Sequence, residues 1–598
     1  MEVNFKHNFL GYFRFYHSVL GNKVYLYLCL NVLMGLLDGI GLTLFIPLFT
    51  LLFSAGNEEA LYTGKMHYLT DFFSAAGIPF TITSILILVI LTFSVKGFVR
   101  FLQQRYLSRM RFLFIRKIRT ALLQSLNDIS YTGFLKLNAG KIQNTLTTEI
   151  TGLFNTMTTY FNSMQHVGIL ATYYVLAFMA NMQFAALVII SGALSNLIFK
   201  RLFSKTQKLS THASKKGNDF NSYLIQSVTH FRYLKATNYF KRYMQKLKKV
   251  IEETEALHFK MGTFSALSEG IKEPVAIIAI GAVLCIQFYF FPESDKNTVL
   301  VSLLLFYRSL SQLSQLQTSW QFFAQNNGSI RSVTEIVRQV RQLKEETRTA
   351  PGDPVVISGI RLSDVSVTYG KRTILEGVNL QINRNQTIAF VGESGSGKTT
   401  LANVIIGLIP PTTGNVWIGA TPINELDLNA YRDKIGYITQ DPVVFSDTIF
   451  NNVTFFDPPT PDNRERFHKA LYQASLADFV NALPDKENTQ VGDNGIYISG
   501  GQKQRLSIAR ELYKEVSLLI LDEATSALDS ATENIIQASL ERLHGHCTII
   551  IIAHRLATIK RSDTIYLLKN RTLYEQGSFE ELSCKSEVFK KMIADQQF

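Results

Sequence analysis

Residues 392–399 read Gly-Glu-Ser-Gly-Ser-Gly-Lys-Thr, a pattern of glycines, a lysine and a hydroxyl suited to gripping phosphate oxygens. Gly392, Gly395 and Gly397 let backbone N–H groups converge where Cβ atoms would intrude, and a following helix N-terminus adds a favourable dipole. In such a loop Lys398 reaches the outer phosphates of ATP and Thr399 gives its hydroxyl to Mg2+, with Ser394, Ser396 and Thr400 beside them. Further along, residues 518–523 read Leu-Leu-Ile-Leu-Asp-Glu. The apolar run predicts a buried parallel strand, and Asp522 at its end is placed to hold Mg2+ through water. Glu523 follows; beside a bound dication it stays ionised, so it orients water and accepts a proton rather than donating one.

These residues need a scaffold. A strand-like run at 387–391 enters the loop and a helix-forming run leaves it from 398, the setting of a P-loop in an α/β domain. A chain of 598 residues exceeds one core and predicts two or more domains. Charge divides it, with net +18 in residues 1–350 and net −5 in 351–598, giving +13 for the whole chain. The basic part is also the apolar part, which points to a membrane protein with positive cytoplasmic flanks and away from nucleic acid. Cys29, Cys285, Cys547 and Cys584 are scattered without metal-binding spacing and read as reduced residues. The basic start leads into an apolar run too long for a cleavable signal.

Six apolar runs predict membrane spans, at about 24–53, 78–95, 160–180, 183–200, 273–291 and 298–320. Basic clusters follow the second and fourth runs, which places both termini and the long polar segments in the cytoplasm. Segments 96–160 and 201–270 are polar but helix-forming, and predict pairs of projecting helices joined by short crossing segments. Within the outer loop 54–77, residues 65–75 read as a short amphipathic helix. The expected organisation is a transmembrane domain over 1–335, a linker over 336–354 and a nucleotide-binding domain over 355–598.

Three more stretches complete an ordered set: 498–505 (Ile-Ser-Gly-Gly-Gln-Lys-Gln-Arg), 526–529 (Ser-Ala-Leu-Asp) and 552–555 (Ile-Ala-His-Arg). Together with the loop and the acidic strand end, they make the chain resemble an ATP-binding cassette transporter of the exporter type. The resemblance implies a half-transporter, with an α-helical transmembrane domain of six spans followed by an α/β P-loop cassette. It implies that Tyr369 stacks on adenine, that Gln440 touches Mg2+ or the attacking water, and that Glu523 is the general base. It implies that His554 contacts the γ-phosphate and steadies Glu523. Ser499, Gly500, Gly501 and Gln502 would face the phosphate held by an opposite cassette, and Asp529 would cross the same interface. Ile498 stands where the signature usually has Leu, and Asp493 where the family's X-loop usually has Glu. Every catalytic position is filled, which favours a homodimer with two working sites; a related half-transporter as partner stays open.

Cargo is read from charge at membrane depth, where ionisable groups face a cavity or a partner. Asp38, Lys96, Arg100, Lys272, Glu273 and Arg308 stand out. Arg308 would either hold a phosphate headgroup in a cavity or form an interhelical ion pair, with Asp38 as the candidate partner. Ser309, Ser311, Gln312, Ser314, Gln315 and Gln317 give the sixth run a polar face, which predicts a wet path. The Tyr307-Arg308 segment and outer loop resemble the flippases of lipid-linked oligosaccharides, and lipid A-type flippases share the architecture. The expected function is ATP-driven export or flipping of an amphipathic, anionic lipid or lipid-linked glycan across a bacterial cytoplasmic membrane. A drug or peptide exporter, and a regulatory ATPase or nucleotide-gated channel, are the alternatives.

Overall fold

The computed structural model describes residues 8–45, 48, 77, 79–180, 182–290, 296–345, 355–523, 535, 537–538, 541–553 and 559–596. They divide into two units, Met1–Ile129 with Gly133–Lys344, and Ser130–Thr132 with Glu345–Phe598.

The first unit is helical. Asn8 caps α1 (Phe9–Leu20) by accepting from the Gly11 N–H at 2.8 Å. It is followed by α2 (Lys23–Thr43) and α3 (Ile82–Asn127). Next come α4 (Ala139–Asn144), a single π turn (Thr145–Glu149), α5 (Ile150–Ala180) and α6 (Met182–Thr229). Last are α7 (Phe240–Phe290) and α8 (Lys296–Gln342). Apolar and polar parts run on as one continuous helix in each of α3, α6, α7 and α8, with Pro274 inside α7 where the two parts meet. Short helices at Tyr131–Phe134 and Phe231–Ala236 form the crossing segments. Among the described residues, Lys23–Gly41 and Ile82–Asn127 are long and apolar enough to cross a membrane by length and composition. The last four apolar runs fall within α5, α6, α7 and α8. The outer-loop helix expected at 65–75 lies outside the described residues.

Tyr12, Phe15 and Tyr16 of α1 are buried with Phe114 of α3, Tyr160 and Phe161 of α5 and Phe323 of α8. Their hydroxyls are satisfied: Tyr16 donates to Thr156 Oγ1 and Asn327 donates to Tyr12 Oη, both at 2.9 Å. Two glycines set the helix spacing. A Cβ at Gly152 would sit 2.1 Å from Ser329 Oγ, and one at Gly328 would sit 2.3 Å from the Ser210 carbonyl, so α5 and α6 approach α8 closely.

The second unit holds two sheets. Its elements are β1 (Gly359–Tyr369), β2 (Arg372–Asn383), β3 (Thr387–Gly392), α9 (Lys398–Ile405), β4 (Thr413–Ile418), β5 (Thr421–Pro422) and β6 (Ile435–Ile438). They continue as α10 (Gly500–Tyr513), β7 (Leu518–Asp522), β8 (Thr548–Ile552), β9 (Thr564–Lys569) and β10 (Thr572–Gly577). One sheet is antiparallel, in the order β2-β1-β4-β5; the other runs β10-β9-β3-β8-β7-β6 and is parallel except at β10. All of β7 and β8 is buried, as continuous Leu and Ile runs require of central parallel strands. Register pairs Ile552 with both Phe390 and Asp522, so β3, β8 and β7 end together at one carboxyl edge, where such sheets bind ligands. The chain enters this unit under restraint: Arg432 forks onto Glu345 with bonds of 2.8 and 2.7 Å and also donates to the Gly407 carbonyl.

Candidate nucleotide-binding site

The loop between β3 and α9 is built by its glycines. Gly392 has φ +155, and a Cβ there would meet the Leu568 carbonyl oxygen at 2.3 Å. Gly397 has φ +106 and caps α9, and a Cβ there would lie 2.6 Å from Leu375 Cδ2. Gly395, at φ +80, faces open space. Lys398 is 5% exposed and donates through Nζ to the carbonyls of Gly392 (2.8 Å) and Glu393 (3.1 Å), which holds its ammonium in the loop. Burial lowers its pKa, against the opposing pull of the Glu523 and Asp522 carboxylates. Among the described residues the buried Ser396 hydroxyl has no hydrogen-bond partner, an orphan that a phosphate oxygen would satisfy. Ser394 and Thr399 are exposed at the loop and Thr400 is half-buried.

The acidic strand end lies against this loop. Thr399 donates to Asp522 Oδ1 at 3.3 Å, and the Tyr437 hydroxyl donates to Asp522 Oδ2 at 3.1 Å. Burial pushes the Asp522 carboxyl up; the Tyr437 hydrogen bond is the strongest influence holding it down. A hydroxyl and a carboxylate side by side form the hard-oxygen pair that suits Mg2+. Glu523 leaves the strand at φ +52, a left-handed conformation that a non-glycine residue adopts only when its surroundings hold it there. Its N–H donates to the Ile552 carbonyl at 2.9 Å, and its Oε2 accepts from Gln440 Nε2 at 2.8 Å. Lys398, Thr399, Gln440, Asp522 and Glu523 are thus linked from β3, β6 and β7. Tyr369, 42% exposed, ends β1, the strand whose Val367 pairs with the Leu375 that abuts Gly397.

Ser499 caps α10, with its Oγ accepting from the Gln502 N–H at 3.3 Å while Gln502 Oε1 accepts from the Ser499 N–H at 2.7 Å. Ser499 and Gly500 are exposed, with Gly501 and Gln502 half-buried behind them. His554 and Asp529 lie outside the described residues. Two contributors carry no motif. Tyr437 reaches Asp522 because β6 pairs with β7. Arg510 of α10 donates to the carbonyls of Asn452 (2.6 Å) and Val443 (2.9 Å), tying the signature helix to the segment that follows Gln440.

In the helical unit, the expected charges separate. Asp38 is buried, pairs with Lys96 and accepts from the Tyr173 hydroxyl. The interhelical ion pair of Asp38 is therefore with Lys96 rather than Arg308, because α2 packs along α3. Arg100 and Arg308 are exposed. A cavity of about 510 Å³ opens instead between α7 and α8 and is lined by Lys272, Glu273 and Tyr307 among others.

A P-loop ATPase unit preceded by a unit of long helices, two of them, among the described residues, suited to a bilayer, defines a membrane-bound ATPase. Residues 375–526 match the ABC transporter family, and residues 25–317 match the ABC transporter transmembrane region. The chain belongs to the ABC transporters, with the exporter arrangement of a helical membrane region followed by a cassette, and it couples ATP hydrolysis to transport. The ATP-dependent lipid A-core flippase of Francisella tularensis subsp. tularensis (strain SCHU S4 / Schu 4) is 26% identical over 82% of this chain and 81% of its own length. That of Burkholderia orbicola (strain AU 1054) is 46% identical over 37% of each chain. A bacterial Atm1-family ABC exporter solved with ATP bound shares the fold, with a TM-score of 0.81 at 23% identity, over 97% of this chain and 99% of that one.

Proposed function

We propose that two copies of this chain close over two ATP molecules and use their hydrolysis to move an amphipathic lipid or lipid-linked glycan across the cytoplasmic membrane. The observation that carries this reading is the likeness to lipid A-core flippases, which spans the membrane region as well as the cassette. In each site the glycine loop, Ser396 and Lys398 bind the phosphates, and Tyr369 stacks on the base. Mg2+ held by Thr399 and Asp522, with Gln440 beside them, would neutralise charge on the phosphates. Glu523 takes the proton of the attacking water, oriented by Gln440 and His554. Ser499, Gly500, Gly501 and Gln502 complete the partner's site, as a self-capped turn that exposes Ser499 and Gly500 allows, and Asp529 crosses the same interface. Six spans with both termini in the cytoplasm carry the motion by alternating access. Arg100 and Arg308 are the exposed cations available to an anionic group, whereas Asp38 and Lys96 neutralise each other.

Native mass spectrometry of the purified protein, read with its ATPase rate, tests the shared site. The expected result is a dimer that retains lipid and whose hydrolysis falls as it is diluted into monomers. Full-rate hydrolysis by a monomer would refute it.

A further inference from the structure

The cavity between α7 and α8 has a direction. Lys272 of α7 is buried and donates to Thr318 of α8 at 2.5 Å, which fixes the register of the two antiparallel helices at this point. From there α7 runs on to Ile277 and Ile280 while α8 runs back to Leu310 and Tyr307, all lining the cavity. At 1.5 Å per residue the eight-residue steps to Ile280 and to Leu310 put the two ends about 12 Å apart. One end is polar, with Lys272, Glu273, Ser314, Gln315 and Gln317; the other is mainly apolar, with Ile277, Ile280, Leu310 and Tyr307 beside Ser311. The polar end adjoins the polar halves of both helices, where a lipid headgroup lies when its tail points into the bilayer.

Charge at the polar end is balanced. Lys272 donates to Glu269 at 2.6 Å as well as to Thr318, which among the described residues leaves the third of its N–H donors for a ligand. Glu273 is exposed in the cavity wall beside it. Pro274 follows inside the helix and has no N–H to donate to the Gly270 carbonyl one turn back. Of the charged side chains that line the cavity among the described residues, one is a cation, Lys272, and one a carboxylate, Glu273. A headgroup of several negative charges would meet repulsion here, whereas one bearing a phosphate and an ammonium meets a partner for each.

Resting on the lipid-transport reading above, we propose that this cavity is a binding site for a phospholipid-type amphipath with a zwitterionic headgroup. Its phosphate binds Lys272, its ammonium binds Glu273, and its tail lies along Ile277, Ile280 and Tyr307. The anionic class expected from sequence is thereby narrowed to headgroups that also carry a cation.

The test uses the full-length protein in vesicles of phosphatidylcholine doped with either phosphatidylethanolamine or phosphatidylglycerol. It reads labelled-lipid movement and lipid-stimulated ATPase. Phosphatidylethanolamine is expected to be preferred several-fold, with Glu273→Lys reversing the order. Lys272→Gln should lower the response to both lipids; because Lys272 is buried and paired, the exposed Glu273 position carries the decision if that variant misfolds. A photo-crosslinker replacing Ile277 should capture lipid. Lipid movement with the same headgroup preference in wild type and Glu273→Lys would overturn this inference and leave the transport reading standing. Capture of the second copy of the chain at Ile277 would also overturn it. Movement of no lipid would overturn both.

Discussion

Tyr437→Phe removes one hydroxyl from the metal-side carboxylate and leaves the ring in place. That hydroxyl donates to Asp522 Oδ2 at 3.1 Å, while Thr399 serves Oδ1 at 3.3 Å. A hydrogen bond to a charged acceptor contributes about 1.5–3 kcal/mol, and the half-buried setting of Tyr437 argues for the lower end, about 1.5 kcal/mol. An energy of that size is about tenfold in an equilibrium constant. The sign follows from which form is stabilised. Burial already raises the Asp522 pKa and the Tyr437 bond lowers it, so losing the bond raises it further. Asp522 must be ionised to hold Mg2+, so protons compete at higher pH in the variant. Steady-state ATP hydrolysis should show its acid limb moved to higher pH, and on that limb about tenfold more Mg2+ should be needed. At alkaline pH, where ionisation is complete, the difference should shrink. Superimposable pH profiles and Mg2+ titrations would refute the assignment of Tyr437 to this site.

Glu523→Gln should cut turnover by about 10²–10⁴-fold while ATP stays bound, read by phosphate release and nucleotide retention. Gly397→Ala should abolish binding of a fluorescent ATP analogue, because its φ of +106 and a Cβ 2.6 Å from Leu375 both oppose the loop. Gly395→Ala faces open space and should lose less. Arg432→Ala leaves the half-buried Glu345 without its fork and should destabilise the cassette by about 1–3 kcal/mol in thermal unfolding. Adding Glu345→Gln should recover part of that loss.

The phosphate loop, the acidic strand end and the capped signature turn were legible because their chemistry is local. Glycine at 392, 395 and 397, carboxylates after an apolar strand, and Ser499 three residues before Gln502 each state their geometry in their spacing. Tyr437 was not legible, since it reaches Asp522 only through the parallel pairing that sets it opposite Ile520. Arg510 likewise acts across a distance of 58 residues, on Asn452. In the membrane region hydropathy located the helices but not their partners. Asp38 chose Lys96 because α2 and α3 pack side by side, a choice no charge count contains. Ser309, Ser311, Gln312, Ser314, Gln315 and Gln317 lower the mean hydropathy of α8, yet the match to the transmembrane region extends to residue 317. The balanced charge at Lys272 and Glu273 emerged only when Thr318 set the register of two helices.

In the proposed cycle, hydrolysis at this cassette moves a lipid. The most direct measurement follows a headgroup-labelled lipid in proteoliposomes containing only this protein, with label on each leaflet resolved by a membrane-impermeant quencher. ATP with Mg2+ should drive net transfer between leaflets, and Glu523→Gln should stop it. Hydrolysis at an undiminished rate, with every lipid tested left in its original leaflet, would contradict the claim.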